Sequence, residues 1–168
     1  TVSAILAFET FVQPLICRML GTRAQVRPRV QAQSARKIAS KLGLDEFVRV
    51  KLGKVKDTLV ATALPRGAGS VTTLTEADGI LPIAGDTEGI QAGQTVAVEL
   101  IRSLEDIENT VVIIGSHDNT LDILANHIRV RDCRFGLSSR NLGSLGGLTA
   151  VLNGHCHAAG CHLLYTST

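Results

Sequence analysis

Two turns in the C-terminal third of the chain carry the glycines, hydroxyls and ionisable groups that anion binding requires. The first is Gly115-Ser116-His117-Asp118, and the second is Gly143-Ser144-Leu145-Gly146-Gly147. Each follows a segment predicted to be a strand and precedes one predicted to be a helix. Free N–H groups at helix N-termini, beside the carboxyl ends of parallel strands, attract anions. We therefore expect both turns to face one cleft that holds a small oxyanion or carboxylate. An equally open alternative is that Asp118 and Ser144 only cap their helices.

The spacing of these residues excludes two other kinds of site. Neither turn ends in Gly-Lys-Ser or Gly-Lys-Thr, so neither is a P-loop for nucleotide phosphates. Ser116, His117 and Asp118 have the residue types of a catalytic triad. Consecutive side chains do not face one another, however, so they cannot form the triad's proton relay.

A cluster of imidazole and thiol side chains follows, with His155-Cys156-His157 and Cys161-His162. Zinc binds both groups, but structural zinc sites generally use two separated pairs, and alternate side chains of the strand predicted over residues 157–164 point to opposite faces. We expect hydrogen bonds from His157 and His162 in or near the cleft, small buried side chains at both cysteines, and no metal. A structural zinc site is the alternative. The residues predicted to bind a ligand in this part of the chain are Gly115, Ser116, His117, Asp118, Ser144, Gly146, Gly147, His157 and His162.

A glycine-rich bend, Pro65-Arg66-Gly67-Ala68-Gly69-Ser70, separates two β-branched segments, 58–63 and 71–75. The pattern predicts a hairpin whose glycines allow positive φ and leave N–H groups uncovered. Arg49, Arg66 and Ser70 form a plausible set of oxyanion contacts. Residue types alone favour the alternative, which is a flexible turn without a ligand beside an ordinary solvated arginine face.

Three hydrophobic patterns position these segments. Apolar residues three and four apart in residues 1–20 predict a helix that is interrupted at Pro14 and ended by Gly21. Alternating residues between 26 and 100, broken by turn signals such as Asp78-Gly79, predict about five short strands in a small barrel or sandwich. From residue 110 onward the order is β-α-β-α-β, which predicts a parallel sheet.

The predicted fold class is therefore mixed. It comprises an N-terminal helix (1–22), a small all-β, barrel-like domain (23–102) and a partial α/β lobe (103–168). The strand predicted over residues 133–138 and the helix predicted over residues 144–152 belong to that lobe.

Composition excludes several classes of protein. The 168 residues carry a net charge of only +2 and 3% aromatic side chains, which argues against a nucleic-acid partner. Four unevenly spaced cysteines do not form the disulfide framework of a secreted domain. Polar residues interrupt the apolar N-terminal segment, so we expect neither a signal peptide nor a membrane span, and a cytoplasmic location. Because the chain begins without Met, we interpret it as a fragment of a longer protein.

Several motifs in residues 1–100 fit one known family. They are Val2-Ser3-Ala4, Phe8-Glu9-x-Phe11-Val12-x-Pro14-Leu15, Arg36-Lys37, Leu42-Gly43-x-x-Glu46-Phe47-x-Arg49-Val50, the stretch from Leu64-Pro65-Arg66 to Ala77-Asp78-Gly79, and Gly89-Ile90-Gln91-Ala92-Gly93. Together they resemble the C-terminal part of the molybdopterin molybdotransferases, the molybdenum insertases of the MoeA and gephyrin family. Leu44 and Gln91 depart from the pattern, since many relatives carry arginine and glutamate there.

The resemblance implies that the β unit is the last domain of a transferase. Such enzymes deliver molybdate to adenylylated molybdopterin, with Mg²⁺, at a site shared across a homodimer. It also implies that Ser3, Arg49 and Ser70 contact molybdate. The family's catalytic domain, with its acidic catalytic residues and pterin pocket, is not in this chain. We therefore expect the chain alone to be inactive and to hold none of these cofactors tightly.

The motifs Gly115-Ser116-His117-Asp118, Leu121-Asp122-x-Leu124-Ala125, Gly143-Ser144-Leu145-Gly146-Gly147-Leu148 and Gly154-x-x-His157-x-Ala159-Gly160-x-His162-Leu163-Leu164 fit a second family. They resemble the periplasmic-binding-protein-like domain that is fused behind some of these transferases and binds small ligands between two lobes. Tyr165 departs from its pattern, because an acidic residue is usual there. The leading hypothesis is a fragment of a fusion molybdotransferase that ends within the first lobe. The alternative is a module that binds or senses molybdate, tungstate or a pterin-like ligand.

Overall fold

The computed structural model describes residues 2–24, 26–66 and 76–163. Its first part is a helical segment made of α1 (Val2–Ala7), a π-helical turn (Phe8–Val12) and α2 (Gln13–Met19). Pro14 lies in the first turn of α2, where a missing N–H costs least, and the wider π-helical turn precedes it. The N–H groups of Gly21 and Thr22 bond the carbonyls of Arg18 and Cys17 at 3.3 and 2.8 Å, and Gly21 has a φ of +67°. This left-handed glycine cap ends the helix, so the predicted helix and both of its signals are confirmed.

The helical segment leaves its apolar side chains uncovered by the described residues. Phe11 is 72% exposed and Met19 is 78% exposed, and Phe8, Leu15 and Leu20 are exposed as well. One ion pair, between Glu9 and Arg27 at 2.6 Å, ties the segment to the chain just before the barrel. The helical segment therefore exposes a hydrophobic surface that the other described residues do not bury.

Five strands form the closed barrel that the alternating pattern predicts. They are β1 (Arg29–Ser34), β3 (Glu46–Val55), β4 (Thr58–Ala63), β5 (Gly79–Ile83) and β7 (Thr95–Leu100). Around the barrel the order is β1, β4, β3, β5, β7; β1 and β4 run parallel, and the other neighbours run antiparallel. Two short strands, β2 (Ile38–Ala39) and β6 (Gly89–Ile90), pair separately.

The barrel core follows the two-residue rhythm of the strands. In β3, Val48, Val50 and Leu52 are buried while Phe47 is exposed, so alternate side chains point inward. Ile107 of a short helix, α3 (Leu104–Glu108), joins the same core. Fully burying one such aliphatic side chain stabilises the fold by about 1.5–3 kcal/mol. β4 ends at Ala63 as predicted, whereas the rest of the predicted hairpin, 67–75, lies outside the described residues.

The predicted turn signal at Asp78-Gly79 marks a strand boundary, because the chain bends at Asp78 immediately before β5. Gly79 begins β5, where an added Cβ would lie 2.8 Å from the Glu99 carbonyl oxygen, and Asp78 is 1% exposed. The Asp78 carboxylate accepts hydrogen bonds from Lys51 Nζ at 3.2 Å, Arg102 Nη1 at 2.8 Å and the Leu52 N–H at 2.9 Å. A buried carboxylate thus joins β3 to the chain that leaves β7.

The C-terminal part is a small parallel α/β unit. Strands β8 (Thr110–Gly115) and β9 (Gly136–Asn141) run parallel, with helices α4 (Asn119–Arg131) and α5 (Gly143–Leu152) following them. The predicted third strand is wrong over the described residues 157–163. Ala158 forms only an isolated parallel bridge with Ile113, although the His157 N–H bonds the Val112 carbonyl at 2.9 Å and the Ser116 N–H bonds the Gly160 carbonyl at 2.7 Å. Residues 161–163 are not strand, and β9 begins three residues later than predicted.

The barrel and the α/β unit pack directly on each other. Val112 Cγ2 of β8 occupies the space where a Cβ on Gly53 of β3 would lie, so only glycine fits there without displacement. None of the helices in the three described ranges combines the length and apolar character needed to cross a bilayer.

Candidate functional site

One candidate site is a cavity of about 150 Å³ at the barrel surface, between β3 and the chain that follows β4. Its lining residues are Glu46, Phe47, Val48, Arg49, Leu64 and Arg66. Arg49 Nη2 donates to the Pro65 carbonyl at 3.3 Å. Arg66 Nη2 lies 3.0 Å from Glu46 Oε2 and also donates to the Ala39 carbonyl. Two cations and one carboxylate therefore line this cavity, which leaves it with an excess positive charge suited to an anion.

The structure places the three residues implied as molybdate contacts differently. Arg49 lines the barrel cavity together with Arg66, as the predicted oxyanion set requires. Ser3 is exposed on α1, and it is not among the described residues that line that cavity. Ser70 lies outside the described residues.

The glycines of the two predicted anion-binding turns lie where backbone segments approach closely. An added Cβ on Gly147 would lie 2.6 Å from both Gly115 Cα and the Ile114 carbonyl oxygen. An added Cβ on Gly115 would overlap the Gly160 carbonyl oxygen. These glycines thus let α5 and the 157–160 segment pack against β8. Gly146, in contrast, would meet only the Leu142 side chain, at 3.0 Å.

The ionisable residues of the first turn are exposed at the start of α4. Asp118 Oδ1 accepts a hydrogen bond from the Thr120 N–H at 2.7 Å, which confirms the N-cap alternative for Asp118. Hydrogen bonds from the Thr120 side chain and backbone lower the pKa of this carboxyl. His117 Nε2 lies 3.6 Å from Asp122 Oδ2. Ser116 precedes His117, and its backbone N–H donates the hydrogen bond to the Gly160 carbonyl.

The N-cap alternative for Ser144 is wrong. Leu142 occupies the N-cap position of α5 and has no side-chain cap. Ser144 Oγ instead accepts a hydrogen bond from the His162 N–H at 3.1 Å. The hydroxyl therefore joins α5 to the last described residues through the backbone of residue 162, and neither Ser144 nor His162 is among the described lining of the cavities reported below.

The histidine and cysteine side chains are dispersed. His157 Nδ1 accepts a hydrogen bond from the Val112 N–H at 2.9 Å. Cys156 is buried as predicted, and burial raises the pKa of its thiol, whereas Cys161 is exposed, so that part of the prediction is wrong. Within the described ranges, no group of three or more His, Cys, Asp or Glu side chains is placed to hold a metal ion.

A cavity of about 380 Å³ near these residues lies between the barrel and the parallel sheet. His117, Arg140 and His155 line it, together with Lys51 and Ser138. Arg140 is partly buried; desolvation lowers its pKa most, repulsion from Arg36 lowers it further, and attraction to Glu76 opposes both effects. Among the described residues that line this cavity, His117 is the only one that was predicted to bind a ligand.

Arg140 and His155 line this cavity but were not among the residues predicted to bind a ligand. A signal was present, because β9 contains Ser138, Ser139 and Arg140 where a strand of a parallel sheet is usually apolar. Polar side chains on such a strand indicate that one side of it faces a polar cavity.

Comparisons with known proteins concern mainly the barrel. Residues 31–101 match the family model of the MoeA C-terminal region, domain IV. A search of curated proteins gives no match.

Similar solved structures include a molybdopterin biosynthesis moeA protein from Pyrococcus horikoshii OT3, at 27% identity and a TM-score of 0.49, covering 59% of this chain and 25% of that one. A second structure of a molybdopterin biosynthesis moea protein from the same species has 30% identity and a TM-score of 0.44, with coverages of 57% and 23%. A molybdenum cofactor biosynthesis protein from Pyrococcus furiosus has 28% identity and a TM-score of 0.48, with coverages of 57% and 34%. The chain thus spans at most about a third of the length of these proteins.

Proposed function

We propose that this protein acts in molybdenum cofactor biosynthesis, from the premise that residues 31–101 belong to the MoeA C-terminal domain family, as the sequence motifs predicted. The family match over the barrel is the observation that carries the proposal. In this proposal the chain is part of a longer cytoplasmic transferase that inserts molybdate into adenylylated molybdopterin with Mg²⁺. The part described by this sequence supplies the last domain of that enzyme and is inactive by itself.

Within that enzyme, the barrel cavity beside Arg49 and Arg66 is the proposed molybdate-side surface. Guanidinium groups recognise oxyanions through paired N–H donors, and the cavity has one carboxylate against two cations. The Arg49 hydrogen bond to the Pro65 carbonyl fixes the side chain beside the segment that leads to Ser70. Ser3 and Ser70 are proposed to complete the contacts, with Ser3 contributing from the helical segment.

The proposed enzyme is a homodimer, and the exposed helical segment is its proposed contact with the partner copy. This contact would bury Phe11 and Met19, each of which is more than 70% exposed. Sedimentation of the natural gene product should give a dimer. Phe11→Glu should give a monomer, whereas the matched change at exposed Thr10 (Thr10→Glu) should not. An unchanged dimer in the Phe11 variant would refute this contact.

The proposal is tested with the natural gene product in a molybdate insertion assay that contains adenylylated molybdopterin, molybdate and Mg²⁺. Loss of a charged hydrogen bond costs about 1.5–3 kcal/mol, so Arg49→Gln should slow insertion roughly tenfold to a hundredfold. Arg23→Gln removes an exposed arginine outside the cavity and is the matched control. Wild-type rates in both variants would refute the role of Arg49, and an inactive wild-type product would refute the proposed function.

A second candidate function is the binding of a small oxyanion, such as molybdate or tungstate, by the α/β unit as a periplasmic-binding-protein-like lobe. The partly buried Arg140, which lines the 380 Å³ cavity together with Lys51 and His117, favours it, and the carboxylates of Glu76 and Asp122 in the same lining offset part of that positive charge. The Ser116 and Ser144 turns are proposed to contribute their hydroxyl groups, while Gly115 and Gly147 allow the close backbone packing that positions these turns. Equilibrium dialysis of molybdate should show binding that is lost in a Ser116→Ala and Ser144→Ala double variant. Unchanged affinity in that variant would reject this candidate.

A further inference from the structure

A second, smaller cavity at the junction of the barrel and the α/β unit gathers basic side chains that the proposed function does not use. Its volume is about 90 Å³, and its lining includes Lys51, Arg102, Arg129 and Arg134. Lys51 and Arg102 come from the barrel side, whereas Arg129 lies on α4 and Arg134 follows it. The volume has room for roughly three water molecules or for one tetrahedral oxyanion.

The ion pairs around this cavity leave positive charge uncompensated. Lys51 and Arg102 share the buried Asp78 carboxylate, and Arg134 pairs with Asp132 at 2.6 Å. Within the described part of the chain the Arg129 side chain forms no hydrogen bond or ion pair. Four cations thus face two carboxylates, a net charge of +2, or +1 when Glu105, which also attracts Arg134, is included.

The side chains that line this cavity are mainly hydrogen-bond donors, which favours an anionic ligand. None of the described lining residues is acidic. Lysine and arginine side chains only donate hydrogen bonds, and the Ser138 hydroxyl, also in the lining, can donate one more. Charge-assisted hydrogen bonds from such groups to oxyanions are about twice as strong as neutral ones. An anion bound here would draw the barrel cations and the α/β cations toward one another.

We propose that this cavity binds one small tetrahedral oxyanion of the phosphate or sulfate class, either free or as the terminal phosphate of a larger molecule, and that the anion fastens the α/β unit to the barrel. The site neighbours the 380 Å³ cavity, since both include Lys51 and Ser138, but Arg129 lines only the small one and Arg140 only the large one. The proposal does not rest on the role in cofactor biosynthesis.

Equilibrium dialysis of the full chain with inorganic phosphate, at constant ionic strength, tests the proposal. One equivalent should bind, and Arg129→Gln should weaken binding about tenfold or more, the effect of losing one charged hydrogen bond. Arg131→Gln is the matched control, because Arg131 is exposed on the last turn of the same helix and lies outside the described lining. Circular dichroism of both variants should show an unchanged fold.

Further arms identify the ligand and locate the site. Sulfate should compete with phosphate, and this competition supports the proposal for either source of the anion. Glycerol phosphate should also compete if the cavity accepts the terminal phosphate of a larger molecule. It should not compete if the cavity accepts only the free ion. The absence of saturable binding, or equal losses in the Arg129 and Arg131 variants, would each overturn the proposal.

Discussion

Replacing the buried Asp78 by asparagine removes the charge that joins β3 to the chain leaving β7. Breaking a buried ion pair by removing one partner generally costs about 3–5 kcal/mol. The side chains of Lys51 and Arg102 are 25% and 36% exposed, so water compensates part of the loss. The asparagine oxygen can also still accept one hydrogen bond. We therefore expect Asp78→Asn to lower the free energy of unfolding by about 2–3 kcal/mol, and the melting temperature by roughly 4–12 °C.

Urea unfolding followed by circular dichroism measures this change. Asp57→Asn is the matched control, because Asp57 is exposed in the turn between β3 and β4. It should alter the free energy of unfolding by no more than about 0.5 kcal/mol. If Asp78→Asn were as stable as Asp57→Asn, the buried carboxylate would not hold the barrel together and the reasoning would be refuted.

Three further changes should have measurable effects. Gly147→Ala should lower the free energy of unfolding by about 1–3 kcal/mol, because its Cβ would lie 2.6 Å from the β8 backbone, whereas Gly146→Ala, whose Cβ would meet only Leu142 Cβ at 3.0 Å, should change it by no more than about 1 kcal/mol. Lys56→Gly should stabilise the chain by about 0.5–1 kcal/mol, since Lys56 has a φ of +56°. Arg134 lowers the pKa of Asp132 from 3.8 to about 2, so NMR titration should give that value in the wild type and a higher value in Arg134→Gln, which stays below 3.8 because the N–H of residue 134 still donates to the carboxylate. Because the folded-state pKa is depressed, the stability from this pair is present above about pH 4 and is lost as the pH falls toward 2.

Each of these three predictions can be contradicted separately. Equal stabilities of the two glycine variants would show that α5 does not approach β8 as closely as described. Destabilisation by Lys56→Gly would mean that the lysine side chain contributes more than its backbone strain costs. An Asp132 carboxyl that titrates near its ordinary 3.8 in the wild type would contradict the ion pair with Arg134.

The barrel was predictable because β1, β7 and most of β3 bury alternate side chains. In β3, a valine or leucine at every second position leaves little freedom of register, and β7 follows the same rhythm. The end of the first helix was predictable for a local reason, since Gly21 alone supplies its left-handed cap. Asp78 was not predictable, because an aspartate before a glycine indicates a turn, and the two cations that bury it come from positions 51 and 102.

The sites were less predictable than the strands. Arg49 and Arg66 share one surface because β3 pairs antiparallel with β4, which places Leu64 beside Arg49. Ser144 bonds a backbone group 18 residues away, which no local capping rule anticipates. Arg140 and Arg129 line cavities that exist only because the barrel packs on the parallel sheet, so their proximity to Lys51 depends on tertiary packing.

The most direct test of the proposed function is complementation of a bacterial strain that lacks its own MoeA protein. The natural gene should restore the molybdenum cofactor content of cells grown with molybdate, and Arg49→Gln should restore less of it than Arg23→Gln. Detection of the gene product with an antibody ensures that each variant is made. A well-expressed wild-type product that leaves the cells without cofactor would contradict the role in molybdenum cofactor biosynthesis.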